Sequence, residues 1–402
     1  MALTTVSSDR LSTNVKNTNF TSAEKQDLTD DILPLAGQLG NRNLIINGAM
    51  QVAQRGTSYT GTDNYATVDR FRLGFGGTDE NPTQAQVDVA SGTTPYTLGF
   101  RKAYRITNGN QTGGLDAGDS LRVDTLLEAQ DIANSGWNFK SSSSYITISY
   151  WVKSSVAQEF FGYLYTADNP SYKYGWSLGS LSADTWTKIT KTIPGNSNLV
   201  FDNNNDTGCW LNLLGIWGTN FTASDAAPNT WGVWDGSKRS TDQAATWFST
   251  NDATFEITGV QLEVGSVATD FEHRSFGQEL SLCQRYYCNF LNYDGQGTNP
   301  ESNLAFAVGT WYNSGYIFCP IRFPVPMRTA PTMESSSGTN DFYALYGVHV
   351  DYYNENGLLQ ASNMGARIYP IVGTATQGSS GVCTVLHVET AASAKLRFTA
   401  EL

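Results

Sequence analysis

The amino-acid sequence predicts an all-β protein: an antiparallel two-sheet β-sandwich, then a short helix and a second, smaller β domain, preceded by a short, partly helical appendage. Three observations lead there. Charged residues make up 15% and aromatics 12% of the 402 residues, with 38 glycines, a balance that suits short strands and tight turns. Apolar side chains recur with period two in one segment after another. No convincing amphipathic helix falls between about residue 41 and residue 275. Without crossover helices, neighbouring strands pair antiparallel.

Residues 1–40 form the appendage. They contain no Trp or Tyr and carry most of their charge between Glu24 and Asp31. Thr21 and Glu24 have the spacing of a capping box, and Leu28, Ile32 and Leu35 give a narrow apolar stripe. A helix of about a dozen residues is marginal by itself. The segment is therefore either an anchor on a larger assembly or a flexible tail.

Residues 41–274 form the main sandwich. Phe71, Leu73 and Phe75 alternate with Arg70, Arg72 and Gly74. Ile146, Ile148, Tyr150 and Val152 alternate with Tyr145, Thr147, Ser149 and Trp151. Further strands are expected at 103–107, 186–193, 211–217 and 254–264. In the last of these Phe255 and Ile257 share one phase and Val260, Leu262 and Val264 the other, which predicts a β-bulge at Gly259 and Val260.

Residues 275–290 are expected to form one helix. Ser275 and Gln278 provide its cap, Phe276, Leu280, Cys283 and Tyr287 one apolar row, and Leu282, Tyr286 and Phe290 a second. Two apolar rows need two partners, so Leu280, Cys283, Tyr286 and Tyr287 are candidates for packing against the flanking domains or against symmetry copies. Residues 291–402 return to alternation, in Ile317, Cys319, Ile321 and Phe323, and in Leu396, Phe398, Ala400 and Leu402. An oligomer is expected, because strand edges and a two-faced helix call for neighbours.

Charge and motif content narrow the function. A net charge of -12, with no run of Lys or Arg, argues against nucleic acid and anionic membrane as partners. No apolar stretch is long enough to cross a bilayer and the first residues lack a secretory core, so a soluble chain made without secretion is expected. Cys209, Cys283, Cys288, Cys319 and Cys383 are odd in number and scattered, and read as reduced core thiols. His273, His349 and His387 read as packing or turn residues, since no nucleophile elbow, P-loop, zinc motif or dinucleotide fingerprint accompanies them. No catalytic residue, metal or cofactor is expected.

Aromatics carry the binding hypothesis, because sugar rings stack their C–H faces on Trp and Tyr while polar loops read hydroxyls. Trp217, Trp231 and Trp234 lie in or beside TNFTASDAAPNTWGVWDGSKRS, and Tyr172, Tyr174 and Trp176 lie in NPSYKYGWSLG. Each is a candidate for glycan contact, although taken singly the core is the stronger reading, because a Trp in a sandwich usually packs inside.

Several segments resemble a known family. NLIINGAMQVAQRGTSY followed by YATVDRFRL, then ITISYWVKSS, TWTKITKTIPG and above all FEITGVQLEVGSVATDFEHRSFGQELSLCQRYY resemble bacteriophage tail-fibre and host-specificity proteins that carry a carbohydrate-binding-module-like jelly roll. FPVPMRTAPT is similar to the segment that often follows, so the likeness covers 41–335 in patches, and 336–402 resembles nothing known to us. The Trp-rich stretch Cys209 to Trp247 departs from the family pattern.

The resemblance implies a jelly roll, assembly in the host cytoplasm into a virion, homotrimerisation, and attachment to a host surface glycan or another receptor. It also implies contact with other tail or capsid proteins through residues 1–40. Jelly rolls of this type sometimes hold a structural calcium, for which FDNNNDTG offers Asp202 and Asp206, although such loops are also simple turns. The competing readings are a purely structural fibre or connector and a glycan depolymerase, which would need two convergent carboxylates.

Overall fold

The computed structural model describes residues 41–402 except Thr62, 293–294, 296–298, 314–315, 348–349, 372–378 and 391–393. The predicted appendage and His349 lie outside the described residues. Leu44–Leu402 is one compact unit, and all that follows concerns it. Among the described residues its helices are three short ones, α1 (Thr94–Thr97), α2 (Ala129–Ala133) and α3 (Phe276–Gln284), and every pairing between named strands is antiparallel. Among the described residues no helix is long and apolar enough to cross a membrane.

The first part contributes β1 (Ser58–Thr60), β2 (Arg72–Gly76), β3 (Thr83–Asp88), β4 (Lys102–Thr107), β5 (Ser120–Glu128), β6 (Tyr145–Ser154), β7 (Gln158–Thr166), β8 (Tyr172–Leu181), β9 (Thr187–Pro194), β10 (Thr207–Trp217), β11 (Trp231–Val233) and β12 (Thr254–Val264). They build two six-stranded sheets, β1-β3-β4-β12-β6-β9 and β11-β8-β7-β10-β5-β2. The long excursions between sheets are those of a jelly-roll sandwich. Between them lies one apolar core containing Ile146, Ile148, Tyr150 and Val152 from β6, all 0% exposed, facing Leu164, Trp176, Leu211 and Leu214. The period-two pattern of β6 therefore specifies its buried face.

The predicted bulge is present. Pairing of β12 with β6 shifts between Thr258 and Gln261, and Gly259 has φ +65. A Cβ there would approach Phe100 Cζ to 2.6 Å, so both the backbone angle and the ring beneath it call for glycine.

The helix is shorter than expected. Its cap is as predicted, with Ser275 and Gln278 exchanging both capping-box hydrogen bonds. It ends at Gln284, however, and Tyr287–Asn289 becomes strand β13. The spacing of Tyr286, Cys288 and Phe290 satisfies period two as well as it satisfies a second helical row. A complementary backbone edge decides between them: Tyr287 pairs with Thr399.

The second part continues with β14 (Ala305–Asn313), β15 (Tyr316–Arg322), β16 (Thr332–Ser335), β17 (Tyr343–Tyr346), β18 (Val350–Tyr353), β19 (Glu355–Ser362), β20 (Gly365–Ile371), β21 (Cys383–Val388) and β22 (Leu396–Thr399). A seven-stranded sheet, β18-β17-β21-β14-β15-β20-β19, packs against the three-stranded β13-β22-β16. Trp311, Ile317, Cys319, Ile368 and Leu386 from the large sheet meet Cys288, Leu396 and Phe398 from the small one.

The two sandwiches are joined by charge and aromatic contacts. Arg70, 2% exposed, pairs with Glu401 and lies 3.5 Å over the Tyr286 ring. Arg55 bonds the same carboxylate at 3.0 Å and lies 3.5 Å over Tyr287. Buried Cys283, Tyr286 and Tyr287 and half-buried Leu280 thus pack within the chain. The Phe276 and Leu280 side chains of the first row approach Gly295, and Phe276 stays 37% exposed. Four of the five cysteines are buried and free as expected, whereas Cys383 is exposed because its side of β21 is the open face of the seven-stranded sheet.

Candidate functional site

The outer face of the sheet β11-β8-β7-β10-β5-β2 carries an aromatic platform. On β7, Tyr163 and Tyr165 alternate with core Leu164, and on β10, Trp210 and Asn212 alternate with core Leu211. Past Asn212 the pairing of β10 with β5 shifts by a bulge, which returns Gly215 and Trp217 to the same outer face. Gly215 makes room for that tryptophan, since a Cβ would lie 2.3 Å from Trp217 Nε1.

The rings form a connected row. Trp210 meets Tyr165 edge-on at 5.7 Å, Tyr165 meets Trp234 at 4.6 Å, and Trp234 meets Tyr163 at 5.7 Å. Tyr163 stacks on Trp217 at 6.3 Å. Trp210, Tyr165 and Trp234 are half-buried, whereas Tyr163 and Trp217 are buried at 3% and 2% exposure. The covering comes from the 218–243 loop: Arg239 lies 4.5 Å over Trp217 and 4.4 Å over Phe221. Lys173 holds that loop by donating to the carbonyls of Lys238 and Arg239, and burial lowers its ammonium to a pKa of about 8.

A buried charge cluster borders the row. Asp124, 0% exposed, accepts from Arg122 Nε at 2.9 Å and from Asn212 Nδ2 at 2.9 Å, and lies 3.5 Å from Arg72 Nε. Burial opposes the charge on Arg122, but Asp124, Tyr163 and Asp63 together outweigh it and hold the guanidinium above its ordinary range. Arg72 in turn lies 4.5 Å over the Trp210 ring. Burial pushes the Tyr163 hydroxyl up. The site is thus an aromatic strip with guanidinium groups along one flank, suited to the C–H face of a sugar with hydroxyls reaching Arg donors.

The six aromatics proposed from sequence separate by strand phase. Trp234 and Trp217 lie on the outer face, and of these only Trp234 keeps a half-open ring. Tyr174 and Trp176 belong to the core at 5% and 1% exposure, and Trp176 Nε1 donates to Tyr150 Oη at 3.2 Å. Tyr172 and Trp231 pack at the margin of that core, where Trp231 Nε1 donates to Pro194 O at 2.7 Å. The platform members not proposed from sequence, Trp210, Tyr163 and Tyr165, alternate with leucines. Recognising β7 and the start of β10 as strands would have revealed them.

Asp202 and Asp206 belong to a turn: Asp202 N donates to Asp168 Oδ2 and Asp206 N to Asn204 Oδ1, each at 2.9 Å. Among the described residues no group of three or more His, Cys, Asp or Glu is placed to hold a metal. His273 Nε2 contacts Leu98 O at 2.9 Å and its ring packs on Phe100 and Phe271. His387 packs on Tyr346.

No protein-family model matches the chain, and no curated protein matches it. Among solved structures, the enzymatically active domain of bacteriophage CBA120 tailspike protein 4 aligns at 10% identity and TM-score 0.30, over 56% of this chain and 21% of that one. A structure titled for CBM4 aligns at 10% identity and TM-score 0.27, over 55% of this chain and 98% of that one. The tripod from the baseplate of bacteriophage Tuc2009 aligns at 11% identity and TM-score 0.26, over 87% and 90%.

Proposed function

We propose that this protein is a non-enzymatic bacteriophage virion component that binds a host surface glycan through the outer-face platform of its first sandwich. The observation that carries the reading is the half-open row Trp210, Tyr165 and Trp234 beside the Asp124 cluster. The likeness of the 41–335 segments to tail-fibre and host-specificity proteins supports the virion setting. Homotrimerisation and docking of residues 1–40 on tail or capsid belong to the same proposal and rest on that likeness. Asp124 is enclosed and engaged by Arg122 and Asn212, so it is not available as a glycosidic acid. This supports binding without turnover.

The test is binding of the full chain to host cells and to a panel of their surface polysaccharides, with W210A and W234A beside the wild type. Loss of binding in both folded variants is expected. Unchanged binding would overturn the reading, as would shortened polysaccharide after incubation. One observation favours a purely structural spacer instead: the chain's own 218–243 loop already covers Trp217 and Tyr163. Mass spectrometry and imaging of purified particles test the virion assignment directly.

A further inference from the structure

The seven-stranded sheet of the second sandwich has its own aromatic outer face. Tyr312 is 66% exposed, Tyr316 56% and Leu359 43%. With Asn313, Phe318 and Tyr369 they line a groove of about 320 Å³, within the range of small-ligand sites. The geometry follows from strand phase: Tyr316, Phe318, Pro320 and Arg322 share one side of β15, opposite core Ile317, Cys319 and Ile321. On the neighbouring β20, Arg367 and Tyr369 share that side, opposite core Ala366 and Ile368. Tyr312 lies 5.3 Å from Phe318, and the Arg367 guanidinium lies 4.6 Å over the same Phe318 ring.

Charge distinguishes this face from the platform of the first sandwich. There, Arg72 and Arg122 share the single carboxylate of Asp124. Here, neither Arg367 nor Arg322 has an ion-pair partner among the described residues, and no carboxylate lines the groove. In a chain of net charge -12, the unpaired Arg367 guanidinium over the groove's Phe318 ring, with Arg322 farther along the same side of β15, forms a local site for an anion that also offers flat C–H faces. Guanidinium prefers planar, bidentate carboxylate. We propose that this groove is a second binding site, specific for an acidic saccharide: sugar rings stack on Tyr312 and Tyr316, and a uronate-type carboxylate pairs with Arg367 or Arg322. The inference does not depend on the platform of the first sandwich.

The test uses the full chain and a defined probe, an oligogalacturonate, beside its carboxyl-reduced neutral counterpart, by titration calorimetry. The acidic form is expected to bind at least about tenfold more tightly than the neutral one, the scale of one charge-assisted hydrogen bond. Y316A and R367M, chosen on the open side of the sheet, are expected to lose about tenfold or more with unchanged melting temperature. Equal affinity for both probes or no binding would overturn the proposal. Loss in W210A with retention in Y316A would move the ligand to the first sandwich. Sedimentation showing an oligomer that Y312A dissociates would instead make the face a subunit interface.

Discussion

Arg285 grips Glu128 through two parallel hydrogen bonds, Nε to Oε1 at 2.7 Å and Nη2 to Oε2 at 2.8 Å. The pair ties the end of α3 to the end of β5, and Tyr286 Oη adds a third bond to the same carboxylate at 2.6 Å. Burial by itself would raise the Glu128 pKa, but Arg285 and Tyr286 together outweigh it and hold the carboxyl below its ordinary value.

A depressed carboxylate contributes stability that is present above its unfolded pKa and lost as pH falls through the folded one. E128Q is therefore expected to destabilise the chain at pH 7 by about 3 kcal/mol, the scale for breaking an enclosed ion pair. The difference from wild type should shrink below about pH 4. Urea unfolding at pH 7 and pH 3 checks this; a gap that widens at pH 3 would contradict the sign.

The opposite sign is expected at Asp69. Its carboxyl is 1% exposed, and burial raises it to about 6 despite Arg55 and Gln54. Raising the pH from about 4 to about 6 deprotonates this group in the unfolded chain before the folded one. Stability attributable to Asp69 therefore falls across that window. Carboxyl-carbon NMR on Asp-labelled protein should show two aspartates titrating near 6, Asp69 and Asp131, which burial also raises to about 6, and only the Asp69 signal should be missing from D69N.

E401A would leave Arg70 and Arg55 without the carboxylate they share. A loss of about 3–5 kcal/mol is expected, read as a lower denaturation midpoint. If the midpoint is unchanged, the two sandwiches do not depend on this pairing.

Two tryptophans of the same sheet should behave oppositely. W176A empties a fully buried site in the first core and should cost about 3–5 kcal/mol. W210A, on the outer face, should leave the melting temperature within a few degrees and affect glycan binding alone.

G259A combines a left-handed backbone angle with a clash against Phe100. A cost of about 1–3 kcal/mol is expected, and thermal unfolding of the variant measures it.

Much of the fold was legible because burial and period two coincide. Ile146 to Val152 and Phe255 to Val264 declare their faces directly, and the bulge at Gly259 is visible as a change of phase. The helix boundary was not legible, since Tyr286 to Phe290 fits both periods and the deciding partner, β22, lies more than a hundred residues away. The site was legible in kind but not in membership. Composition pointed to aromatics, yet whether a given ring faces core or solvent depends on strand phase and on the bulge in β10. Trp176 and Trp210 look alike in sequence and end on opposite faces.

Strand β22 is the central member of its sheet, between β13 and β16. The ribosome finishes β13 more than a hundred residues before residue 399, its pairing partner, is synthesised. During that interval β13 and β16 have no neighbour between them, and Cys288 and Met333 lack the Phe398 backbone opposite them. Nascent chains stalled before residue 396 should consequently be adhesive through those open edges and depend on chaperones, while the first sandwich can already have folded.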